Sequence, residues 1–156
     1  MEIYQQGRDL RVLTLSLDGE SFAVETDRVR EVLDVPPMTA VPGSGASFLG
    51  LINVRGRVIP VVDLRLRRRG PGHAGPLTDD SRVVVGEVTV KGERVLVGLL
   101  ADQVQDVGDL AATDIQATPR LGLTGRPDYI GAVGKRGRDF IAVMDLDKAL
   151  AADPAA

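Results

Sequence analysis

Residues 48–64 read FLGLINVRGRVIPVVDL, and a variant of the same run returns at residues 129–146 as YIGAVGKRGRDFIAVMDL. Admitting one extra residue in the second run near Asp139 aligns Gly50 with Gly131, Arg55 with Arg136, Gly56 with Gly137, Val61 with Val143, Asp63 with Asp145 and Leu64 with Leu146. The correspondence extends upstream. DRVREVLDV at residues 27–35 matches DQVQDVGDL at 102–110, and Asp18-Gly19-Glu20 ahead of Phe22-Ala23-Val24 is echoed by Lys91-Gly92-Glu93 ahead of Val95-Leu96-Val97. The chain is one module written twice. Only the first copy has the fuller run, since Asn53 and Pro60 have Gly134 and Ala142 as counterparts.

The pattern around the repeated run is that of strands and tight turns. Leu49–Val54 and Val58–Leu64 are rich in branched aliphatic residues and flank Arg55-Gly56-Arg57, which predicts two strands joined by a turn. Pro60 has no N–H to give a central ladder, so its strand is expected at an edge or a bulge. Gly50 and Gly56 fit bulges or structural turns. Upstream, Leu10–Leu17 alternates in part and runs into Asp18-Gly19, a hairpin signal, with Ser21–Glu25 returning. Val29–Val35 fits a strand or a helical turn until Pro36-Pro37 ends it. The second half repeats the plan with strands at 82–90, 94–101, 104–107, 130–133 and 140–145, and residues 146–152 favour helix.

Roughly five short strands per half suit a small closed barrel. A barrel that small holds little core of its own, so two should pack together. The expected fold is all-β, with two similar five-stranded barrels side by side and a short C-terminal helix. Residues 1–156 then form one domain: a first barrel at 8–66, a linker loop at 67–81, a second barrel at 82–146, and a terminal turn and tail at 147–156. A crossover of the chain between the barrels is left open.

Composition narrows the function. Of 156 residues 44% are hydrophobic but only 3% aromatic, so the core is built of branched aliphatics, which favour strands. The net charge of −3 lacks the basic field of a nucleic-acid binder. The absence of cysteine removes disulfides, thiolate metal sites and cysteine nucleophiles, and fits a reducing compartment. No apolar run approaches the roughly 20 residues that span a bilayer, and Met1–Gly7 does not resemble a signal peptide. A soluble cytoplasmic protein is expected.

No residue set stands out as catalytic. His73 is the sole histidine and sits in the Gly/Pro run at 70–76, where a solvated loop residue is expected and metal or triad partners are missing. Asp27, Glu31, Asp34, Asp63, Asp79, Asp80, Asp102, Asp106 and Asp109 fall mostly on expected turns or polar strand faces, with Asp79-Asp80 closing the linker. Arg65-Leu66-Arg67-Arg68-Arg69 is a local positive patch without stacking aromatics, and reads as a solvated strand end. The repeated glycines are not spaced as a nucleotide loop. Neither cofactor nor metal is expected, and the want of a catalytic constellation favours a binding protein over an enzyme.

At Gly50, Asn53, Arg55, Gly56, Pro60, Val61, Asp63 and Leu64 the chain resembles the CheW-type chemotaxis coupling proteins, whose signature is a Gly, then Asn-x-Arg-Gly, then Pro-[Val/Ile]-x-Asp-Leu. The opening hairpin, the Val29–Val32 segment, the two-half layout and the terminal element carry the resemblance along nearly the whole chain. It implies two SH3-like barrels and a stand-alone, non-catalytic adaptor. Its partners would be the cytoplasmic tip of a methyl-accepting chemoreceptor, the regulatory domain of a histidine kinase, and other CheW-like proteins in rings. It further implies a cytoplasmic protein recruited to membrane receptor arrays, without membrane insertion and without nucleic acid. A paralogue serving gliding or pilus motility, or one that binds receptor without kinase, is the alternative. Rivals from other classes are a carboxylate-based hydrolase on a small β scaffold and an SH3-like binder of unrelated peptides or nucleic acid.

The resemblance also assigns residues. A receptor tip is an amphipathic helical hairpin, and its partner should offer an apolar groove with fixed polar anchors. The groove is expected between the barrels, with Val29, Glu31, Ile52, Asn53 and Arg55 as receptor-binding residues. Arg55 is expected to bond Glu31 bidentately, in a purely structural pair, a recognition anchor or both, while Val29 and Ile52 give apolar contact. Val35, Met38 and Val41 in the Pro-interrupted stretch are the kinase-binding candidates, with burial in the chain's own core the alternative. The second copy is expected to be mainly architectural.

Overall fold

The computed structural model describes residues 7–42, 47–69, 75–117 and 129–150. Its strands are β1 (Leu10–Leu17), β2 (Glu20–Glu25), β3 (Val29–Asp34), β4 (Phe48–Val54), β5 (Arg57–Val62), β6 (Arg82–Val90), β7 (Glu93–Ala101), β8 (Gln103–Leu110), β9 (Ile115–Ala117), β10 (Ile130–Arg136) and β11 (Asp139–Met144). Two short helices, α1 (Leu64–Arg69) and α2 (Leu146–Leu150), follow the two Asp-Leu endings of the repeat. His73 and the glycines at 70 and 72 lie outside the described residues, as does the tail after Leu150.

Three Xaa-Gly pairs set hairpins. Asp18-Gly19, Arg55-Gly56 and Lys91-Gly92 each have positive φ at both residues, +53/+79, +52/+82 and +51/+81 degrees. That is the pattern of the type I′ turn, whose twist matches its flanking strands. Val29–Val35, open between strand and helix from sequence, is strand β3 through Asp34, with Val29, Glu31 and Leu33 turned inward and Arg30, Val32 and Asp34 outward.

The strands form two sheets, in the orders β8-β1-β2-β11-β10-β9 and β3-β6-β7-β5-β4. Neither sheet is one half of the chain. The hairpin β1–β2 of the first copy joins the sheet built from the second copy, and the hairpin β6–β7 of the second joins the sheet built from the first. The division into barrels at 8–66 and 82–146 therefore gives way to the crossover. The physical reason is the partner of each hairpin: β2 pairs in parallel with β11 (Phe22 and Ala23 opposite Ala142 and Val143), and β5 with β7 (Val61 and Val62 opposite Gly98 and Leu99). One sheet has a sixth strand, the three-residue β9.

Among the described residues, buried side chains gather in three clusters. Leu10, Val12, Ala23, Leu110, Ala132, Ile141 and Val143 fill the six-stranded sheet. Ile52, Ile59, Val61, Val83, Val85 and Leu100 fill the five-stranded one. The largest cluster draws Leu13, Leu15, Leu17, Phe22 and Val24 from the first sheet and Val84, Val88, Val97 and Leu99 from the second, with Tyr129 and α2 added. The two small cores are thus welded by a larger one, as expected of barrels too small to stand alone.

Pro60 lies on an interior strand, between β7 and β4, and not at an edge. Its missing N–H costs β4 no bond. Leu51, opposite Pro60, turns its N–H and C=O the other way, exchanging both bonds with Thr39 at 2.9 Å each. Gly50 is likewise not a turn residue. It sits in β4 beside a register shift, where a Cβ would come within 2.9 Å of the Thr39 carbonyl oxygen. Gly56 is the turn residue.

Candidate functional site

β3 and β4 are the two ends of the five-stranded sheet, and among the described residues no backbone ladder joins them. Two contacts bring the ends together. One is the Thr39–Leu51 bridge just beyond β3. The other is the expected pair: Arg55 donates from Nη1 to Glu31 Oε2 at 2.9 Å and from Nη2 to Glu31 Oε1 at 2.7 Å. Glu31 is on the inward-turned side of β3 yet keeps 25% of its side chain in solvent, and a guanidinium fork meets both its oxygens at once.

The turn explains why this arginine is presented outward. Arg55 is itself a turn residue in the left-handed region, φ +52 degrees, and its side chain is 78% exposed against 25% for Glu31. Asn53 Oδ1 accepts from the Gly56 N–H at 2.9 Å, so Asn53 shapes the turn. The second copy makes a related pair differently. Its extra residue moves the turn to Gly137-Arg138, with Gly137 at φ +62 degrees, so that Arg136 becomes a strand residue paired with Asp139. Arg136 is only 35% exposed, reaching Asp106 at 3.4 Å and the Thr14 hydroxyl at 2.6 Å. It lies over Gly108, the counterpart of Leu33, within 2.9 Å of where a Cβ would stand. The same ion pair is laid flat in one copy and held up in the other.

Two grooves flank Arg55. One, about 390 Å³, is lined by Glu31, Leu33, Asp34, Pro36, Asn53, Val54 and Arg55. The other, about 460 Å³, has Val54, Ile59, Val85, Val95 and Leu96 as apolar lining and Arg30, Glu31, Arg55, Arg57, Glu87 and Arg94 as polar lining. Both belong to the five-stranded sheet, so Glu31, Asn53 and Arg55 meet there and not in a cleft between the sheets. Ile52 does not join them. It is 2% exposed inside that sheet's core, because alternation along β4 sends it inward while Asn53 faces out. Val29 is half-buried against the inter-sheet core.

A further groove of about 660 Å³ runs between the segment after β3 and the segment before β6. Val35 and Met38 line it with Pro36, Pro37, Leu77 and Arg82. Val35 and Met38 are also packed on the five-stranded core, whereas Val41 is exposed. The three are thus not one open patch, and Leu77, exposed and facing Met38's groove, was not singled out by the sequence.

Sequence reasoning also missed the most buried ionic cluster among the described residues. Arg65, expected at a solvated strand end, is 4% exposed at the start of α1 and pairs with the fully buried Asp63. Its Nε and Nη2 donate to Asp63 at 3.0 and 2.9 Å, and its Nη1 donates to Asp102 at 2.8 Å. Asp63 Oδ1 also caps the helix by accepting from the Arg65 N–H, and Asp102 accepts from the Asp18 N–H at 2.7 Å. The hydrogen bond from Arg65 to Asp63 raises the guanidinium pKa above its ordinary value, so the charge persists at every working pH. Elsewhere, burial pushes the Glu25 carboxyl up, an effect that Arg8 at 3.2 Å opposes. The Asp-Leu-Arg spacing of 63–65 was the available signal. Among the described residues no group of three or more His, Asp or Glu is placed to hold a metal ion. No helix among them is long and apolar enough to cross a membrane.

Two grooves beside a presented ion pair, on a scaffold of two interlocked β sheets, are the candidate site. Comparison with known proteins places the chain more narrowly. The CheW-like domain family matches residues 11–153, and the chain belongs to that family. It is 36% identical over 139 residues to a probable chemotaxis protein CheW of Rhizobium etli, covering 89% of this chain and 86% of that one. It is 31% identical over 131 residues to Protein FrzA of Myxococcus xanthus, covering 83% and 78%. Among solved structures, the scaffolding protein TtCheW of Thermoanaerobacter tengcongensis superposes with a TM-score of 0.72 at 26% identity, over 86% of this chain and 88% of that one.

Proposed function

We propose that this chain is a non-catalytic adaptor that couples the cytoplasmic tip of a chemoreceptor to the regulatory domain of a chemotaxis-type histidine kinase, at membrane receptor arrays in the cytoplasm. The observation that carries this reading is Arg55, fixed bidentately by Glu31 yet 78% exposed, with apolar-floored grooves on both sides. An anchor of that kind suits an amphipathic helix, which needs a polar fix beside an apolar trough. Asn53 and Val29 support the site, the first by holding the turn and the second by packing β3 onto the inter-sheet core. The kinase is assigned to the Pro-lined groove at Val35, Met38 and Leu77, with exposed Val41 near it in sequence.

Separate pull-downs with the cognate receptor tip and the kinase regulatory domain test the proposal. Binding to both is expected, and binding to neither would sink it. Arg55→Ala should weaken receptor capture by about tenfold or more, as loss of a central anchor does. Its melting temperature should stay close to wild type, since exposed ion pairs contribute about 0–1 kcal/mol. A collapse in melting temperature would make Arg55 structural. A second reading, a paralogue serving another chemosensory pathway, draws on the similarity to Protein FrzA. Capture of receptor without kinase would favour a decoupled paralogue.

A further inference from the structure

The groove of about 460 Å³ beside Arg55 has a charge pattern that the docking reading does not use. Its rim holds four guanidinium groups, Arg30, Arg55, Arg57 and Arg94, against two carboxylates, Glu31 and Glu87, an excess of two positive charges on a chain whose net charge is −3. The carboxylates are already occupied. Glu31 is taken by Arg55, and Glu87 by Arg30 at 2.9 Å and Arg94 at 3.3 Å. Arg94 holds Glu87 through one long contact and is 78% exposed. Arg57 stands at the start of β5 with no ion pair among the described residues. Beneath this rim the lining is apolar, from Ile59, Val85, Val95 and Leu96, and Val58 lies exposed next to Arg57.

We infer that this groove takes an acidic amphipathic helix, with its apolar stripe on Val95 and Leu96 and its carboxylates on Arg57 and Arg94. The groove shares Glu31, Val54 and Arg55 with the neighbouring one, so a helix anchored at Arg55 continues into it. The inference rests on the receptor-docking reading and specifies its partner: the receptor helix that engages this chain carries carboxylates flanking its apolar face. Arg57 and Arg94 are then specificity-determining residues. Arginine suits the task, because its planar fork meets carboxylates bidentately and gives up hydration more readily than lysine. Rim charges of this kind act mainly through encounter and salt dependence.

The test is titration of the purified cognate receptor cytoplasmic hairpin into wild type, Arg57→Glu/Arg94→Glu, Arg57→Gln/Arg94→Gln and Arg138→Glu, at low and high salt. Arg138 is the second-copy counterpart of Arg57, and Arg138→Glu changes the net charge by the same two units as the double Gln variant, for which it is the control. At low ionic strength the double Glu variant should bind about tenfold or more weaker than wild type, the double Gln variant should fall between, and the gap should shrink to within about threefold near 0.5 M salt. Arg138→Glu should bind as wild type does. Unchanged circular dichroism and melting temperature would show the variants folded, and the milder Gln pair serves if the Glu pair is not. If both double variants bind within twofold of wild type while Arg55→Ala weakens capture, the acidic partner is wrong and the docking reading stands. An equal loss in Arg138→Glu also overturns the groove assignment. Failure of wild type to bind the hairpin removes both.

Discussion

Two arginines show how little sequence spacing alone says about side-chain fate. Arg55 and Arg65 each follow the repeated run's own logic, yet one is held in solvent and the other is 4% exposed. The difference comes from neighbours: Arg55 sits at a left-handed turn position that throws its side chain outward, whereas Arg65 is in the first turn of α1, beside the buried Asp63. Arg65→Ala would leave Asp63 buried without a counter-charge, and such breakage costs about 3–5 kcal/mol. Urea unfolding should show that loss as a lower midpoint, and a change under 1 kcal/mol would mean water replaces the guanidinium. Pairing Arg65→Met with Asp63→Leu should recover most of it, because removing both charges avoids the unpaired one. The Glu31–Arg55 pair was legible beforehand through the family resemblance, which set these two opposite charges along one groove on neighbouring strands. The Asp63–Arg65–Asp102 cluster was not. Asp102 is 37 residues from Arg65, and only the crossover of the chain brings it near.

At the level of strands and turns, the hairpins, the Pro36-Pro37 stop and the terminal helix could all be read from residue type, since each rests on local backbone preference. What could not be read was the closure of the five-stranded sheet. That depends on Thr39, which forms the only backbone bridge between the β3 side and β4 among the described residues, and nothing in its neighbourhood marks it. Gly50 makes the closure possible by leaving room for the Thr39 carbonyl. Gly50→Ala presses a methyl group against backbone that cannot swing aside, and overpacking of this kind costs about 1–3 kcal/mol. A lower melting temperature and faster amide exchange at Leu51 should accompany each other. Destabilisation with Leu51 fully protected would place the strain elsewhere. The short helices show a second device. Arg65 of α1 reaches Asp102 of the other copy, while Asp147 of α2 is reached by Arg28 of the first, so the two clasps have opposite polarity.

Across the whole molecule, the repeat could be seen in the sequence but its exchange of hairpins could not. Pairwise similarity reports which segments are alike, whereas strand pairing depends on which edges meet, and β2–β11 and β5–β7 meet across more than 35 residues of chain. Two copies that each complete the other's sheet, and share the largest buried cluster, should not melt separately. A single calorimetric transition is expected, with calorimetric and van't Hoff enthalpies in agreement. Two resolved transitions would mean that each sheet stands without its neighbour. The exchange also fixes an order of events on the ribosome. Synthesis runs from the N-terminus, and β1–β2 is made first, yet its neighbours β8 and β11 end at Leu110 and Met144. The five-stranded sheet has all its strands once Ala101 has emerged, so the face bearing Arg55 is complete while the opening hairpin still waits with both edges bare. Of the described strands, the earliest made are therefore the last to be housed, and β2 keeps an open edge until Met144 has emerged.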